Sequence, residues 1–220
     1  MAVKAFLFDL DGVLWFSVDA HRLAFQKALH LMGFRWNFPK KTFGPYSGFT
    51  TEKALERVLE DKEEIWTAKQ QHRFHQLKRQ WALRFLMTQT RLHPRLITTL
   101  KKLHQTHKIA LVSSAHPDSV KLFLKRSKTK RLFDVVVHSG HVPQSKPDPR
   151  IYKEAMRRLK IRPEEGVAIE DSISGAQAAL RAGLRVIGMK GTIPPRKLRK
   201  TGAFVTVSRL TDILPYAIRL

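Results

Sequence analysis

Two aspartates, Asp9 and Asp11, end an apolar run in Phe6-Leu-Phe-Asp9-Leu-Asp11-Gly12. A carboxylate so placed can attack phosphorus, making an acyl phosphate and splitting one hard displacement into two easier ones. The second carboxyl, two residues on, projects from the same side of an extended chain. It can protonate a leaving oxygen and then activate incoming water or hydroxyl, a role worth roughly 10²–10⁴-fold. Two carboxylates repel a phosphate dianion, so this chemistry needs positive charge nearby. Glu170 and Asp171 are the natural partners of the first pair around a Mg²⁺, an ion that uses one or two carboxylates and keeps waters. Lys146, in Ser145-Lys146-Pro147-Asp148-Pro149, can neutralise a further phosphoryl oxygen. Ser113, with Ser114 beside it, can donate its hydroxyl and nearby backbone N–H groups.

Each group alone has a plainer use. Asp-Gly after a strand is a turn signal. A serine at a strand end can cap the next helix, and Lys146 can be a solvated loop residue. Glu170-Asp171-Ser172 can cap a helix near Ser174 and suit its dipole. The case for chemistry rests on where the elements place all of them together.

Short apolar runs recur at residues 3–10, 108–113, 134–138, 166–170 and 185–188, with a weaker one at 203–207. Runs without alternation are expected of strands buried on both faces. Helix-like stretches lie between most of them, at 95–104, 119–125, 149–159 and 174–182, the last stopped by Gly183. The alternation predicts an α/β fold, a doubly wound parallel sheet with helices on both faces. In such a sheet ligands bind beyond the carboxyl ends of the strands. Asp9 and Asp11, Ser113 and Ser114, and Glu170 and Asp171 all follow strand runs, and Lys146 lies in the loop after a fourth. Residues 15–88 break the rhythm with helices expected at 20–32, 51–59 and 63–85, and no strand run of comparable quality. The predicted division is a core of 1–14 and 89–220 carrying a helical insert of 15–88.

The chain has 220 residues, 43% hydrophobic and 27% charged, as an ordinary globular protein would. It lacks cysteine, which excludes disulfides, thiolate metal sites and a cysteine nucleophile. No apolar run approaches a membrane span. The apolar N-terminus is broken by Asp9 and Asp11 and has no small-residue cleavage site, so a cytoplasmic location is expected. Forty-one Lys and Arg against 18 Asp and Glu give a net charge of +23, and no acid occurs in residues 65–117. That field favours anionic ligands. Nucleic acid is the lesser expectation, since neither base contacts nor stacking platforms can be located.

The four motifs resemble those of the haloacid-dehalogenase-like superfamily over essentially the whole chain. Leu7-Phe8-Asp9-Leu10-Asp11-Gly12, Ala110-Leu-Val-Ser113, Lys146-Pro147-Asp148-Pro149 and Ile169-Glu170-Asp171-Ser172 agree with its motifs in order and spacing. The resemblance implies a Rossmann-like core with an inserted helical cap. It implies Asp9 as nucleophile, Asp11 as acid/base, and Mg²⁺ on Asp9, the backbone between Leu10 and Asp11, and Asp171. Glu170 would ligate directly or through water. Dehalogenases of the superfamily lack the second aspartate, so Asp11 points to phosphoryl transfer.

The cap is similar to those of β-phosphoglucomutases and of small sugar-phosphate or phosphoglycolate phosphatases. In the mutase a histidine ten residues after the acid/base controls it, and His21 stands in that place; an ordinary amphipathic helix start is the alternative. The mutase's substrate-loop arginine is missing: the region Gly48-Phe-Thr-Thr51 offers Gly48 and Thr51 instead, and Lys69 or Arg73 could substitute. The expected activity is therefore a Mg²⁺-dependent phosphatase of a small phosphorylated metabolite, acting as a monomer through an aspartyl-phosphate. A sugar phosphomutase is the first alternative, and a basic nucleic-acid-binding module with vestigial activity the second.

Overall fold

The computed structural model describes residues 2–39, 43, 46 and 49–219. Six parallel strands form its sheet: β1 (Ala5–Phe8), β4 (Lys108–Val112), β5 (Val135–Val137), β6 (Gly166–Glu170), β7 (Arg185–Met189) and β8 (Val205–Val207). Their spatial order is β5-β4-β1-β6-β7-β8, so β1 lies between two neighbours reached in opposite directions. Ala5 is in register with both Lys108 and Gly166.

Strand β1 shows why its run is apolar throughout. Phe6 and Phe8 face one side, among Leu100 and Leu103 of α4 (Leu96–His104) and Val120 and Phe123 of α5 (Pro117–Ser127). Ala5 and Leu7 face the other, among Ile151 and Ala155 of α6 (Arg150–Leu159) and Ala176 and Ala179 of α7 (Ile173–Arg181). Each fully buried phenylalanine contributes roughly 1.5–3 kcal/mol, and period-2 geometry sends alternate residues to opposite faces. The fold is therefore the expected α/β sheet wound on both faces.

Residues between β1 and β4 form α1 (Val18–Leu31), α2 (Thr51–Asp61) and α3 (Ala68–Thr88). They bury a separate, aromatic-rich cluster that includes Phe25, Phe38, Leu55, Val58, Trp66 and Phe74. The third helix begins at residue 68 rather than 63 as the pattern suggested. The chain turns through Glu63 at φ +53°, with Glu64 N–H bonded to the Leu59 carbonyl at 2.9 Å. Thr67 and Gln70 then close a reciprocal capping box that starts the new helix. The sequence reading also missed a two-stranded antiparallel ribbon, β2 (Trp15–Phe16) with β3 (Arg91–Leu92). Two residues are too few to show a period. Through this ribbon the chain leaves and rejoins the sheet, and Trp15 Nε1 donates to Thr90 Oγ1 at 2.8 Å beneath it. Among the described residues no helix is long and apolar enough to cross a membrane.

Candidate active site

The carboxyl ends of β1, β4 and β6 bring one ammonium between two carboxylates. Lys146 Nζ donates to Asp9 Oδ1 at 2.6 Å, Glu170 Oε1 at 2.6 Å and the Val112 carbonyl at 3.0 Å, and is 1% exposed. Burial alone would lower its pKa, but Asp9 and Glu170 outweigh this and hold it above its ordinary value. Tyr152, on α6, donates to the same Glu170 oxygen at 2.6 Å. Its burial, then the charges of Glu170 and Asp9, push that hydroxyl well above the usual range, so it stays a donor. Ser172 Oγ reaches Glu170 Oε2 at 3.3 Å while accepting the Gly175 N–H at 3.1 Å as the cap of α7. A side chain at Gly175 would come within 2.0 Å of Glu170 Oε2, so glycine leaves room for that carboxylate.

Asp171 Oδ2 accepts from Thr192 Oγ1 and from the Thr192 N–H, in the loop after β7. Gly12, at φ +88°, lies so close that a Cβ there would meet the same oxygen at 1.9 Å. The turn after Asp11 thus needs glycine for its backbone and for its approach to Asp171.

Asp9, Glu170 and Asp171 each place a carboxylate oxygen within 4.8 Å of the others, all three buried. Burial drives Asp9 well above the ordinary carboxylate range against the pull of Lys146, with Glu170 and Asp171 adding to the rise. Burial likewise pushes Asp171 up to about 7, opposed by Thr192 and assisted by Glu170. An all-oxygen set in which Asp9 and Asp171 resist ionisation is short of positive charge, which a hard divalent cation supplies. The donor set therefore fits Mg²⁺. Glu170 already accepts from Lys146, Tyr152 and Ser172, so it is better placed to orient Lys146 than to be a direct ligand.

Asp11 belongs to a different set. It accepts from Ser17 Oγ, and His21 Nε2 lies 3.4 Å from its Oδ1. Lys78 Nζ, from α3, donates to His21 Nδ1 at 3.3 Å. An ammonium can only donate, so Nδ1 accepts and the ring hydrogen sits on Nε2, facing Asp11. Burial would raise the pKa of Asp11, yet His21, Ser17 and Lys78 together bring it below its ordinary value. Lys78 itself is pushed down to about 8 by burial, with Asp11 and Glu52 pulling the other way.

A cavity of about 310 Å³ separates the inserted helices from the sheet. Asp9, Asp11 and Ser114 line its core side, His21, Thr51, Glu52, His75, Lys78 and Arg79 its helical side. Ser114 Oγ is buried there with no hydrogen-bond partner among the described residues, available to a ligand. Ser113 is fully buried, accepts the Ala115 N–H at 3.0 Å and does not line the cavity, so it shapes the turn that presents Ser114. Lys69 and Arg73 are exposed and off the cavity wall; the substitute cations the sequence suggested are misplaced, because they lie on the solvent face of α3. Gly48 lies outside the described residues. Sequence reasoning missed Ser17, Lys78, Arg79, Tyr152 and Thr192. Thr192 could have been found by extending the strand-end rule to β7; one cation among the five Lys and Arg of an acid-free helix carried no signal.

Residues 6–189 match the haloacid dehalogenase-like hydrolase family. The chain is 26% identical over 222 residues to Protein CbbY of Cereibacter sphaeroides, covering 96% of this chain and 92% of that one. It is 26% identical over 227 residues to the pyrophosphatase PpaX of Bacillus mycoides, covering 100% and 99%. Among solved structures, a mutant CbbY from Rhodobacter sphaeroides in complex with xylulose-(1,5)bisphosphate shares the fold at a TM-score of 0.84 and 23% identity, over 96% of each chain.

Proposed function

Since the chain belongs to the haloacid dehalogenase-like hydrolases, as an enzyme of phosphoric monoester hydrolysis, we propose that it is a Mg²⁺-dependent phosphatase of small phosphorylated metabolites. The observation that carries this reading is the division of labour between the two aspartates. Asp9 is held by Lys146 inside the carboxylate cluster, and Asp11 is held outside it by Ser17 and His21.

Asp9 attacks phosphorus and the ester oxygen departs, leaving an aspartyl-phosphate; water then attacks that phosphorus and frees Asp9. Lys146 and the Ser114 hydroxyl, with N–H groups at the start of α5, neutralise phosphoryl oxygens. Asp9 and Asp171 would hold Mg²⁺, with Glu170 behind them, and its contribution when bound is to offset the charge of carboxylates and phosphate together. Asp11 gives its proton to the departing ester oxygen, which leaves as an alcohol, and then, as the carboxylate its neighbours stabilise, takes the proton of the attacking water and ends the cycle as it began. His21 and Lys78 ride on α1 and α3, so the seating of these helices over the cavity sets how tightly Asp11 holds a proton. Residues 15–88 act in this reading as a cap that excludes bulk water. The enzyme works as a monomer in the cytoplasm.

The His21 contact to Asp11 also favours a second reading, a sugar phosphomutase, in which a sugar hydroxyl replaces water as acceptor. Glucose 1-phosphate with a bisphosphate primer separates the two: free phosphate marks the phosphatase, glucose 6-phosphate the mutase. Asp9→Asn tests the shared core. Phosphate release from a panel of phosphorylated metabolites with Mg²⁺ should fall at least ~10³-fold, as for loss of a nucleophile; undiminished release would show the nucleophile assignment to be wrong.

A further inference from the structure

One side of α3 takes no part in the cavity. Lys78, Arg79 and Ala82 line that space, whereas Trp81, Arg84 and Phe85 of the same helix do not. Trp81 is half-buried and has two cations over its ring. Lys27 Nζ of α1 lies 5.3 Å from the ring centroid and Arg84 Cζ 5.2 Å. The Phe85 ring follows at 5.4 Å from that of Trp81. Just past the helix the ribbon repeats the pairing: Phe16 of β2 is 37% exposed, and Arg91 of β3 lies over its ring at 5.2 Å. Only Gln89 and Thr90 separate α3 from Arg91, so the Cα atoms of Trp81 and Arg91 are within roughly 20 Å. Sequence alone located no stacking platform; the fold assembles one from α1 and α3.

We propose that this side of α3 binds single-stranded nucleic acid, apart from the cavity, with a base stacked on Trp81 and phosphates held by Lys27 and Arg84. The phosphatase reading is not needed for it. Among the described residues the side chains of Lys27, Arg84 and Arg91 make no ion pair and no hydrogen bond; a ring is all that each one meets. Such contacts are weak at exposed positions, so the cations are free to turn to phosphate. Nothing on these elements opposes an anion. Residues 65–117 contain no acid, and the single acid of α1, Asp19, is held by Arg22 at 2.7 Å. Rings interleaved with cations suit a strand that alternates flat bases with phosphates, and they give affinity without reading sequence. A duplex hides the faces of its bases and would gain only the charge. An anionic bilayer is the other polyanion such a surface meets. A helix that binds one presents its apolar face, and α3 has already given Phe74, Ala82 and Leu86 to the interior.

Fluorescence anisotropy of a labelled oligothymidylate of about 12 nucleotides makes the test, with a duplex of equal length measured beside it at ~0.15 M salt. The quantity read is the ratio of the two affinities, in which the general attraction of a +23 chain for any polyanion largely cancels. The wild type should prefer the single strand at least about fivefold, and its tryptophan emission should be quenched on binding. Trp81→Ala should weaken the single strand roughly 5- to 150-fold, the worth of one stacked base, and bring the ratio near one. Trp81→Phe, which keeps a ring, should hold most of the preference while losing the quenching. Lys27→Ala and Arg84→Ala should each lower the slope of log affinity against log salt by ~0.7. Lys197→Ala, an equal loss of charge on α8 (Pro195–Thr201), should leave the ratio unchanged. A ratio near one in the wild type, or one untouched by Trp81→Ala, overturns the proposal and reduces the binding to net charge. Vesicles of phosphatidylcholine and phosphatidylserine give the remaining outcome: if Trp81→Ala abolishes vesicle binding and spares the oligonucleotide, the surface is a membrane contact and the proposal fails. These ratios are read without turnover, so they stand or fall separately from the phosphatase reading.

Discussion

Glu170 is the residue on which the polar centre turns, because three side chains donate to it in a place with no solvent. A buried carboxylate with fewer donors is costly, and a lost hydrogen bond to a charged group removes about 1.5–3 kcal/mol. Tyr152→Phe deletes one donor while keeping the ring that Lys146 lies over at 5.1 Å. It should lower the unfolding free energy by ~1–3 kcal/mol in urea titration. The same cluster predicts a pH dependence. Folding raises Asp171 from an ordinary 3.8 to about 7, chiefly by burial, and raises Asp9 in the same sense. Between those values the folded state keeps a proton that the unfolded chain has released, so this contribution to stability is present at the acid end and lost as pH rises. Metal-free protein should therefore melt at a lower temperature at about pH 8 than at about pH 5. Added Mg²⁺ should raise the melting temperature more at the higher pH, an effect that EDTA reverses. Equal stabilisation at both would argue against metal on these carboxylates.

At the scale of elements, α3 decides most. Its 21 residues carry no acid, yet one face gives Phe74, Ala82 and Leu86 to the interior while Lys78 and Arg79 reach the cavity. Its C-terminal end is fixed to the core by Arg126 of α5, which donates to the carbonyls of Leu86 at 3.0 Å, Met87 at 2.8 Å and Thr90 at 2.7 Å. The first two are carbonyls that a helix end leaves without intrahelical partners, and the third belongs to the loop just beyond it. Arg126→Ala should cost about 1–3 kcal/mol, the lower half favoured because the guanidinium is exposed. Amide exchange should quicken in the last turn of α3, with the strands unaffected. The start of α3 shows where sequence patterning stops. Glu63, Glu64 and Ile65 continue a helical composition, but a left-handed Glu63 ends α2 and the Thr67 box restarts the chain in a new direction. Nothing local in residues 63–66 announces that reversal; burying Trp66 in the aromatic cluster requires it.

For the molecule as a whole, the charge of +23 coexists with a buried cluster of carboxylates. Asp9, Glu165, Glu170 and Asp171 are buried, so the solvent-facing balance is more basic than composition suggests. A surface of this sign steers anions, and salt screens it over a Debye length of about 8–10 Å at ordinary ionic strength. The second-order rate of binding an anionic inhibitor should fall by roughly tenfold between low salt and ~0.5 M, in stopped-flow measurement, with a smaller change in its dissociation rate. Insensitivity to salt would reduce the charge to solvated surface with no part in substrate capture.

What the sequence determined by itself was the sheet and the carboxylate-lysine centre. Both are written in short-range pattern: apolar runs sized for buried strands, and polar residues at their ends, which a parallel sheet must gather at one edge. Asp9, Lys146, Glu170 and Asp171 could be read from the chain because strand ends converge whatever the helices between them do. Tertiary structure alone decided which oxygen meets which donor. Ser113 turned inward and Ser114 outward, Asp11 was drawn to Ser17 and His21, and Tyr152 and Thr192 arrived from α6 and the loop after β7. The choice among the cations of α3 was likewise tertiary, since helical phase against α1 and α5 sends Lys78 and Arg79 into the cavity and leaves Lys69 and Arg73 in water. The asymmetry has a physical cause. Strand ends are aligned by backbone hydrogen bonding, which any sequence of the right period satisfies, whereas a side-chain contact depends on packing among residues far apart in the chain.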